Sequence, residues 1–318
     1  MEALVWHGAS ELSLEQLDEP AAGEGQAAFD VALAGICGSD LHPYRGHAGP
    51  RVPPLVLGHE AVGTTPGAEG RFVLFPIVSC GRCAACRRGE VNLCETRGLV
   101  GLDRQGVFAG RVAVGADALV PIPAGVPDGA AVLTEPLATP LSALRAAGAA
   151  PGVRVAVFGG GPIGLLTVYA CSALGIESEL VEPLEHRREL AGQLGAAAVH
   201  ASGDDVAAGS FDLAVDAVGI EPTWAPAIRA VRMGGTVTII GLGAAEGPMA
   251  VGDLVRRGIA LRGHYAYTRA DFEAALAMLA EHPPPLGWLS TLPLREGAEG
   301  FRRLVEEPGE NVKVLLAP

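Results

Sequence analysis

Residues 153–164 read Val-Arg-Val-Ala-Val-Phe-Gly-Gly-Gly-Pro-Ile-Gly, and this stretch decides the fold. The β-branched and aromatic residues over 154–158 predict a buried strand, and the three glycines that follow predict a turn. An apolar segment then begins at Pro162 and predicts a helix over 162–174. The glycines fit the G-x-G-x-x-G pattern, in which the backbone approaches a pyrophosphate at a helix N-terminus. The residues that would carry this contact are Gly159, Gly161, Pro162, Ile163 and Gly164.

Strand and helix patterns alternate downstream of this loop. The next strand pattern ends at Glu182, 18 residues after Gly164. A carboxylate at this place can hold the ribose hydroxyls of NAD and would repel the 2′-phosphate of NADP. Arg187 and Arg188 lie within two helical turns of Glu182, so the sequence leaves NADP open. Strand patterns over 154–158, 179–182, 211–218, 236–242 and 259–265 and helix patterns over 162–174, 184–194 and 226–233 predict an α/β fold with a doubly wound parallel sheet, which six such strands would complete.

The same region contains a run of 22 residues without a charge, 155–176, which is long enough to cross a bilayer. Its middle holds three glycines and Pro162, which would break a spanning helix, so a strand, a turn and a buried helix explain it better. The N-terminus has neither the basic region nor the apolar segment of a secretory signal. We therefore expect a cytoplasmic protein.

Length and composition limit the classes of function. A chain of 318 residues predicts two domains at about 150 residues per domain. Apolar residues make up 49% of it and charged residues 19%, which is typical of a globular protein. With 36 acidic and 23 basic residues the formal charge is −13, which makes nucleic acid and anionic membranes poor partners. A small molecule is the expected partner.

The first half of the chain differs from the second in its pattern of predicted strands and helices. Short β patterns separated by Gly and Pro occur at 29–34, 71–75, 110–114 and 118–121. The alternating strand and helix patterns begin only after Pro151, which predicts a domain boundary near 146–150. After 267, Thr268 and Asp271 form the pattern of a helix cap, and 312–316 again resembles a strand.

Four of the six cysteines lie between positions 80 and 94, in the spacing C-x2-C-x2-C-x7-C. Four thiolates on a tight loop can form a tetrahedral shell around zinc, which leaves no open position and makes the site structural. An iron–sulfur cluster also uses four thiolates, and the spacing leaves that alternative open. Cys171 lies within the predicted helix and is expected in the core. The predicted metal ligands are Cys80, Cys83, Cys86 and Cys94.

Three further segments carry metal-ligating residue types. They read Gly-Ile-Cys-Gly-Ser-Asp-Leu-His at 35–42, Leu-Gly-His-Glu-Ala-Val-Gly at 57–63 and Leu-Thr-Glu-Pro-Leu-Ala at 133–138. Together with the cysteine cluster and the glycine loop, the chain resembles the zinc-dependent medium-chain alcohol dehydrogenases over essentially its whole length, particularly the polyol and threonine dehydrogenase branch. The resemblance implies a discontinuous GroES-like catalytic domain over 1–146 and 268–318, with a structural zinc lobe at about 79–95, and a Rossmann domain over 147–267.

The resemblance also implies a catalytic site. Cys37, His59 and Glu135 would hold a zinc ion whose fourth position takes water or substrate, which makes two zinc ions per chain. Glu60 would be the neighbouring carboxylate that can approach the metal. Zinc would stabilise the anion of the substrate alcohol, from which hydride passes to the nicotinamide.

Two residues of the first segment would move the proton. The resemblance makes Ser39 the hydroxyl that takes the alcohol proton and His42 the end of a relay through the cofactor ribose to solvent. Proximity in the motif order suggests Tyr44, Arg45 and Phe108 as pocket residues. His264 follows the last Rossmann strand and is a further candidate.

The function implied by the resemblance is hydride transfer between NAD(H) and a secondary alcohol, polyol or sugar-like substrate, in a homodimer or homotetramer joined through the last Rossmann strands. One alternative on the same fold is reduction of an enone or iminium. Another is a non-catalytic dinucleotide- or zinc-binding protein, against which the intact Cys37, His59 and Glu135 argue.

The chain departs from the family pattern between Gly63 and Arg71. Only residues 64–70 remain where the family usually has two further strand segments and a Gly-Asp turn. We expect this shortening to leave every candidate ligand in place and to change the shape of the substrate cleft.

Overall fold

The computed structural model describes residues 1–47, 49–309 and 311–318, which form two compact units. Unit 1 comprises Met1–Glu135 and Thr268–Pro318, and unit 2 comprises Pro136–Tyr267. The division falls at Glu135, whereas the sequence analysis placed it at 146–147. The difference arises because a helix over Thr134–Ala146 begins in unit 1 and continues into unit 2, so the composition change marks the end of this helix.

The first part of unit 1 consists mainly of short strands, as the spacing of its Gly and Pro residues predicts. Its longest strand alternates between buried and more exposed positions, since one face of a sheet packs on the core. The strands are β1 (Glu2–Gly8), β2 (Glu11–Gln16), β3 (Gln26–Gly35), β4 (Leu55–Val56), β5 (Glu60–Thr64), β6 (Phe72–Leu74), β7 (Ile77–Val78), β8 (Gly98–Leu99), β9 (Arg111–Gly115) and β10 (Leu119–Pro121). The helices are α1 (Gly38–Tyr44), α2 (Ala84–Arg87) and α3 (Asp128–Ala131), and α4 (Thr134–Ala146) continues from this unit into unit 2.

Unit 2 contains a six-stranded sheet in which all neighbouring strands are parallel. Its strands are β11 (Arg154–Phe158), β12 (Glu177–Val181), β13 (Ala198–His200), β14 (Phe211–Asp216), β15 (Val231–Ile239) and β16 (Ala260–Gly263). Its helices are α5 (Pro162–Ala173), α6 (Glu185–Gln193), α7 (Glu221–Ala230) and α8 (Val251–Arg257). The strand order β13-β12-β11-β14-β15-β16 is that of a doubly wound dinucleotide-binding sheet, which confirms the predicted fold class.

The tail returns to unit 1 as α9 (Arg269–Glu281), β17 (Leu289–Pro293), α10 (Gly297–Glu306) and β18 (Lys313–Ala317). Thr268 and Asp271 form the predicted reciprocal cap of α9. Strand β18 pairs with β17 and with β3, so the main sheet of unit 1 has the order β10-β6-β5-β3-β18-β17, with β9 on the other part of β3. Phe29, Phe108 and Phe301 are fully buried in its core.

One helix differs from its expected range. The helix expected over 226–233 is α7, which begins five residues earlier at Glu221. Its start is fixed by Thr223, whose hydroxyl donates to Asp216 at 2.9 Å and thereby ties the first turn to the end of β14. Val231 already belongs to β15. The short segment 64–70 begins with Thr64, the last residue of β5, and then forms most of the hairpin connection to β6, since the two strands pair antiparallel with Gly63 opposite Phe72.

The uncharged run 155–176 comprises β11, the glycine turn and α5, as predicted. Within the residues that the structure describes, no helix combines the length and apolar character needed to span a membrane.

Candidate active site

The four-cysteine lobe gathers its sulfur atoms from one short loop. The Sγ atom of Cys86 lies 3.9 Å from that of Cys80 and 3.5 Å from that of Cys83. All four Sγ atoms, including that of Cys94, lie within 4.8 Å of one another. Sulfurs bound to one tetrahedral zinc at about 2.3 Å are about 3.8 Å apart. The lobe therefore fits a single ion, whereas thiolates bound to separate irons of a cluster would need wider spacing.

Backbone N–H groups point at these sulfurs. Cys83 donates to Cys80 Sγ at 3.3 Å, Cys86 to Cys83 Sγ at 3.5 Å, and Cys80 to Cys94 Sγ at 3.4 Å. Donors of this kind favour the thiolate, and those of Arg82 and Cys83 lower the pKa of Cys80 to about 6. Burial raises the pKa of Cys86 to about 11, a shift that a bound cation reverses. The loop is arranged to receive a cation.

Cys37, His59 and Glu60 form a second group of metal-ligating side chains, whose ligand atoms also lie within 4.8 Å of one another. They come from the residues after β3 and from the start of β5. These strands are antiparallel neighbours in which Gly35 pairs with Glu60, so the two short segments meet. A thiolate, an imidazole and a carboxylate form the donor set of a zinc site that keeps one position open, and this group fits that ion.

Asp40 lies behind the imidazole of His59. Its Oδ1 is 3.6 Å from His59 Nδ1, too long for a hydrogen bond, and its Oδ2 accepts the Cys37 N–H at 3.0 Å. Because Nδ1 faces Asp40, Nε2 is the nitrogen left for a metal. Burial lowers the pKa of His59, but the charges of Asp40 and Cys37 outweigh burial and raise it well above the usual value. The surroundings of His59 therefore favour a positive charge.

Glu60, one of the two candidate carboxylates, is paired with the ammonium group of Lys313. Lys313 Nζ lies 2.5 Å from Glu60 Oε2 and donates to Oε1 at 2.7 Å, and both side chains are buried. Glu135, the predicted third ligand, is buried in the first turn of α4. Among the described residues it lies outside the group formed by Cys37, His59 and Glu60, although its charge acts on Lys313. The structure thus brings Glu60, rather than Glu135, to the other two ligands.

The candidate relay residues lie in α1, which Cys37 caps. The Ser39 N–H donates to Cys37 Sγ at 3.5 Å, and its buried Oγ has no hydrogen-bond partner among the described residues. His42 is partly buried, and burial together with Arg45 lowers its pKa. A hydroxyl with a free hydrogen-bonding capacity next to a ligand, followed by an imidazole that is readily neutral, meets the needs of a proton relay.

The glycine loop connects β11 to α5. A Cβ atom at Gly164 would lie 1.7 Å from the Gly159 carbonyl oxygen, so this position requires glycine. A Cβ atom at Gly161 would meet nothing within 4 Å, which leaves open space before the helix. No side chain caps the first N–H groups of α5. A pyrophosphate fits this site, because free N–H groups and the helix dipole both favour an anion.

Glu182 follows β12 and is buried against the glycine loop. Its Oε2 accepts the Gly160 N–H at 2.6 Å, and its Oε1 accepts the Leu184 N–H at 2.9 Å. Arg188 donates to the Glu182 carbonyl oxygen at 2.8 Å. Arg187 lies on α6. Burial lowers the pKa of its guanidinium, and the charge of Glu182, which acts to raise this pKa, does not outweigh burial. The carboxylate is thus fixed where the ribose of a dinucleotide meets the end of the second strand.

The expectation that Phe108 lines the substrate pocket is wrong. Its ring is fully buried and packs edge-on against Phe301, with ring centroids 5.9 Å apart. Tyr44 is partly buried against the same ring at 5.4 Å, whereas Arg45 is exposed. His264 lies 3.0 Å from the Ala266 carbonyl oxygen through its Nε2.

Comparison with known proteins identifies the family of this chain. Residues 23–124 match the alcohol dehydrogenase GroES-like domain, and residues 162–281 match the zinc-binding dehydrogenase family. L-galactonate-5-dehydrogenase of Escherichia coli K12 is 30% identical over 99% of this chain and 98% of its own length. The chain belongs to the zinc-dependent medium-chain alcohol dehydrogenase family. The sorbitol dehydrogenase of Halalkalibacterium halodurans is similar too, with 30% identity over 100% of this chain and 99% of its own.

A solved structure supports the same assignment for the fold. A Sinorhizobium meliloti 1021 protein described as a zinc-binding dehydrogenase, bound to NADP, has a TM-score of 0.91 at 29% identity and covers 100% of this chain and 99% of its own. The predicted family and fold are therefore confirmed. The chain is an oxidoreductase that uses zinc and a nicotinamide cofactor to interconvert an alcohol and its ketone.

Sequence reasoning missed three buried residues of the site. Asp40 was quoted within its motif without a role, although its place three residues after Cys37 could have suggested one. Arg51, whose Nη2 is 3.8 Å from Asp40 Oδ1 and whose Nε donates to the Gly101 carbonyl oxygen at 3.3 Å, has no motif to reveal it. Lys313 had a signal, because it is the only lysine of the chain.

Proposed function

We propose that this dehydrogenase transfers hydride between NAD(H) and a secondary alcohol, polyol or sugar-like substrate at a zinc held by Cys37, His59 and a neighbouring carboxylate. The observation that carries the proposal is the grouping of Cys37, His59 and Glu60 beside the unpartnered hydroxyl of Ser39. The names of two relatives, on L-galactonate and on sorbitol, support a substrate with several hydroxyl groups.

The chain's own residues have distinct tasks in this proposal. Zinc, when bound, supplies a Lewis acid that favours the deprotonated form of the substrate hydroxyl. The charge of Asp40 lies 3.6 Å from His59 Nδ1, which leaves Nε2 as the ring nitrogen that faces the ion. Ser39 takes the substrate proton, and His42 passes it towards solvent, so that no charge is left in the buried site.

We propose that the third ligand is one of two carboxylates. Glu60 is favoured by its distance to Cys37 and His59, and Glu135 by the family resemblance. Replacing each by Gln and counting metal at the Cys37 site distinguishes them, because loss of the true ligand lowers zinc affinity more. Glu185, exposed on α6, provides the matched Glu→Gln control.

We propose a second, structural zinc at Cys80, Cys83, Cys86 and Cys94. Support comes from the four sulfur atoms within 4.8 Å of one another and from the N–H donors directed at them. All six cysteines carry free thiols, which suits the reducing cytoplasm in which we place the enzyme. Plasma emission analysis is expected to find two zinc ions per chain.

NAD is the proposed cofactor because Glu182 places a buried negative charge where NADP carries its 2′-phosphate. The Glu182→Ala variant should lose about tenfold in kcat/KM with NAD, since a hydrogen bond to a charged group contributes about 1.5 kcal/mol or more. Activity with NADP should not fall. Glu185→Ala, three residues along the chain, is the control. If Glu182→Ala kept the wild-type preference for NAD over NADP, Glu182 would not be part of the cofactor site.

The experiment that tests the whole proposal is a substrate screen with the zinc-loaded enzyme. Simple secondary alcohols, polyols and sugar acids are offered with NAD or NADP, and reduced cofactor is followed at its absorbance band. We expect the highest kcat/KM with a polyhydroxylated substrate and NAD. The proposal fails if no alcohol or ketone in the screen exchanges hydride with either cofactor while enone reduction proceeds.

We also propose a homodimer, or a homotetramer built from such dimers, joined along β16. This strand is the edge of the sheet in unit 2, and all four of its residues are exposed. Val251, Val255 and Leu242 nearby in sequence expose 60%, 76% and 71% of their surface, which is unusual for apolar side chains. Light scattering should show an oligomer that Val255→Asp weakens. A monomer at micromolar concentration would contradict this.

A further inference from the structure

Lys313 is the only lysine among 23 basic residues, and it is almost completely buried, with 1% of its side chain exposed. Everywhere else this chain uses arginine. An ammonium is a compact point charge with three donors, whereas a guanidinium is a planar fork that needs more room. Burying a cation is costly unless it is paired, so this lysine needs a specific partner.

The backbone around Lys313 leaves room for that partner. Strands β18, β3 and β5 are neighbours, and Gly35 of β3 pairs with both Leu315 and Glu60. A Cβ atom at Gly35 would lie 2.1 Å from Glu60 Oε2 and 3.1 Å from Lys313 Cε. The missing side chain at Gly35 therefore provides the space in which the Glu60 carboxylate and the Lys313 ammonium meet.

The contacts of Lys313 bring its charge into the metal site. Its Nζ lies 2.5 Å from Glu60 Oε2, and donates to Glu60 Oε1 at 2.7 Å and to the Ile36 carbonyl oxygen at 2.9 Å. The Cys37 and Glu135 charges also act on it. The Lys313 ammonium thus contacts one of the four candidate metal ligands, Glu60, and the charges of two others, Cys37 and Glu135, raise its pKa.

Glu60 consequently has two possible cationic partners. A metal between Cys37 and His59 is within reach of its carboxylate, and Lys313 already neutralises it. A carboxylate that shares its charge with an ammonium donates less to a metal ion than an unpaired one. Without Lys313, Glu60 would be a buried charge whose best remaining partner is the ion.

We propose that Lys313 is a positioning residue of the metal site, which competes with the metal for the Glu60 carboxylate and so prevents Glu60 from becoming a tight ligand. The result is a coordination position that substrate can occupy. This inference rests on the proposed function of the Cys37 and His59 site, with Glu135 of the two candidate carboxylates as its third ligand.

The test compares wild type with Lys313→Met and with the double variant Lys313→Met/Glu60→Gln, each loaded with cobalt in place of zinc. Two readouts are taken: the rate of cobalt release to a chelator and the visible spectrum of the bound ion. Both are measured as differences from Cys37→Ala, which retains the four-cysteine lobe and so subtracts its contribution.

We expect Lys313→Met to release the ion at least about tenfold more slowly, because an uncompensated negative charge remains beside it, and to change the spectrum. Its kcat should fall although its metal content does not. The double variant should return to within about threefold of the wild-type release rate, since it removes the charge and its partner together.

The outcomes separate the two hypotheses. If wild type and Cys37→Ala bind the same amount of cobalt, the proposed function of the Cys37 site is wrong. If cobalt binds there but Lys313→Met releases it at the wild-type rate or faster, only the role of Lys313 is overturned. If Lys313→Met does not fold, the double variant decides, because it leaves no unpaired charge at this place. Cobalt release from the double variant more than about tenfold faster than from wild type would show that Glu60 is already a tight ligand, and would overturn the role of Lys313.

Discussion

The two candidate metal sites of this chain are built in opposite ways. The four-cysteine lobe takes all its ligands from residues 80–94, and its sulfur atoms are organised by N–H groups of the same loop. The Cys37 site assembles residues from the segments after β3 and at the start of β5, supported by Asp40 and by Lys313 from the end of the chain. The first site depends on local backbone geometry, and the second depends on the sheet of unit 1.

The same contrast appears in the electrostatics. In the lobe, backbone N–H groups lower the pKa of Cys80 while burial raises that of Cys86. The Cys37 site is instead bordered by the buried charged side chains of Asp40, Arg51 and Lys313. A closed set of four thiolates suits a structural ion, and a set with one open position and an orphaned hydroxyl suits catalysis. We therefore expect loss of the two sites to affect different properties of the enzyme.

The largest effect is expected from Cys37→Ala, which removes a ligand of the assembled site. Turnover with the best alcohol should fall by at least about 10³-fold, because stabilising the substrate anion contributes several kcal/mol. The metal content should drop from two ions to one, and the melting temperature should change little. Steady-state kinetics, metal analysis and thermal unfolding check this. Full turnover in Cys37→Ala would end the proposed role of this site.

Cys83→Ser is the counterpart in the local site. We expect it to lose one zinc ion and to lower the free energy of unfolding by at least about 2 kcal/mol, because metal binding energy is folding energy in such a loop. The activity per folded molecule should persist at low temperature. Cys171→Ala, which removes a buried thiol of unit 2, should retain both ions. If Cys83→Ser lost its ion without loss of stability, the lobe would not be structural.

How well the sequence predicted each site follows from this difference. The spacing of Cys80, Cys83, Cys86 and Cys94 encodes a local loop, and the glycine loop after β11 is local as well, so both could be placed from the sequence alone. The choice between Glu60 and Glu135 could not, because it depends on how β3 meets β5 and where α4 begins.

Long-range packing also explains the other misses. Lys313 contacts Glu60 across 253 positions of sequence, and the pairing of both β18 and β5 with β3 brings them together. Phe108 was expected in a pocket from its order among the motifs, yet its ring lies in the core, in the space left by the absent side chain of Gly58, where a Cβ atom would be 2.6 Å from it. Neither the register of strands nor the packing of a ring is encoded in local spacing.

Asp40→Asn tests whether the assembled site needs its buried support. The variant keeps the size of the side chain but removes the charge behind His59. Residues that contact a metal ligand without binding the metal themselves typically contribute 10- to 100-fold to metal affinity. We expect zinc release from the Cys37 site to be about tenfold faster, with the lobe unaffected. Asp117→Asn, exposed in unit 1, is the control. Equal zinc release in the two variants would mean that Asp40 serves only as a helix cap.

Thr96→Val tests whether the four-cysteine lobe also needs the residues around its ligands, and it should give the smallest effect on zinc release. The Thr96 hydroxyl lies 3.8 Å from Cys94 Sγ, but its side chain is exposed to water, so water can replace it. We expect zinc release from the lobe to change by about threefold or less, since a weak, solvated contact contributes only a few tenths of a kcal/mol. A chelator assay on Thr96→Val and Asp40→Asn, run side by side, measures the difference directly. If Thr96→Val released its ion as fast as Asp40→Asn does, the lobe too would depend on its surroundings, and the contrast between a self-contained and an assembled site would not hold.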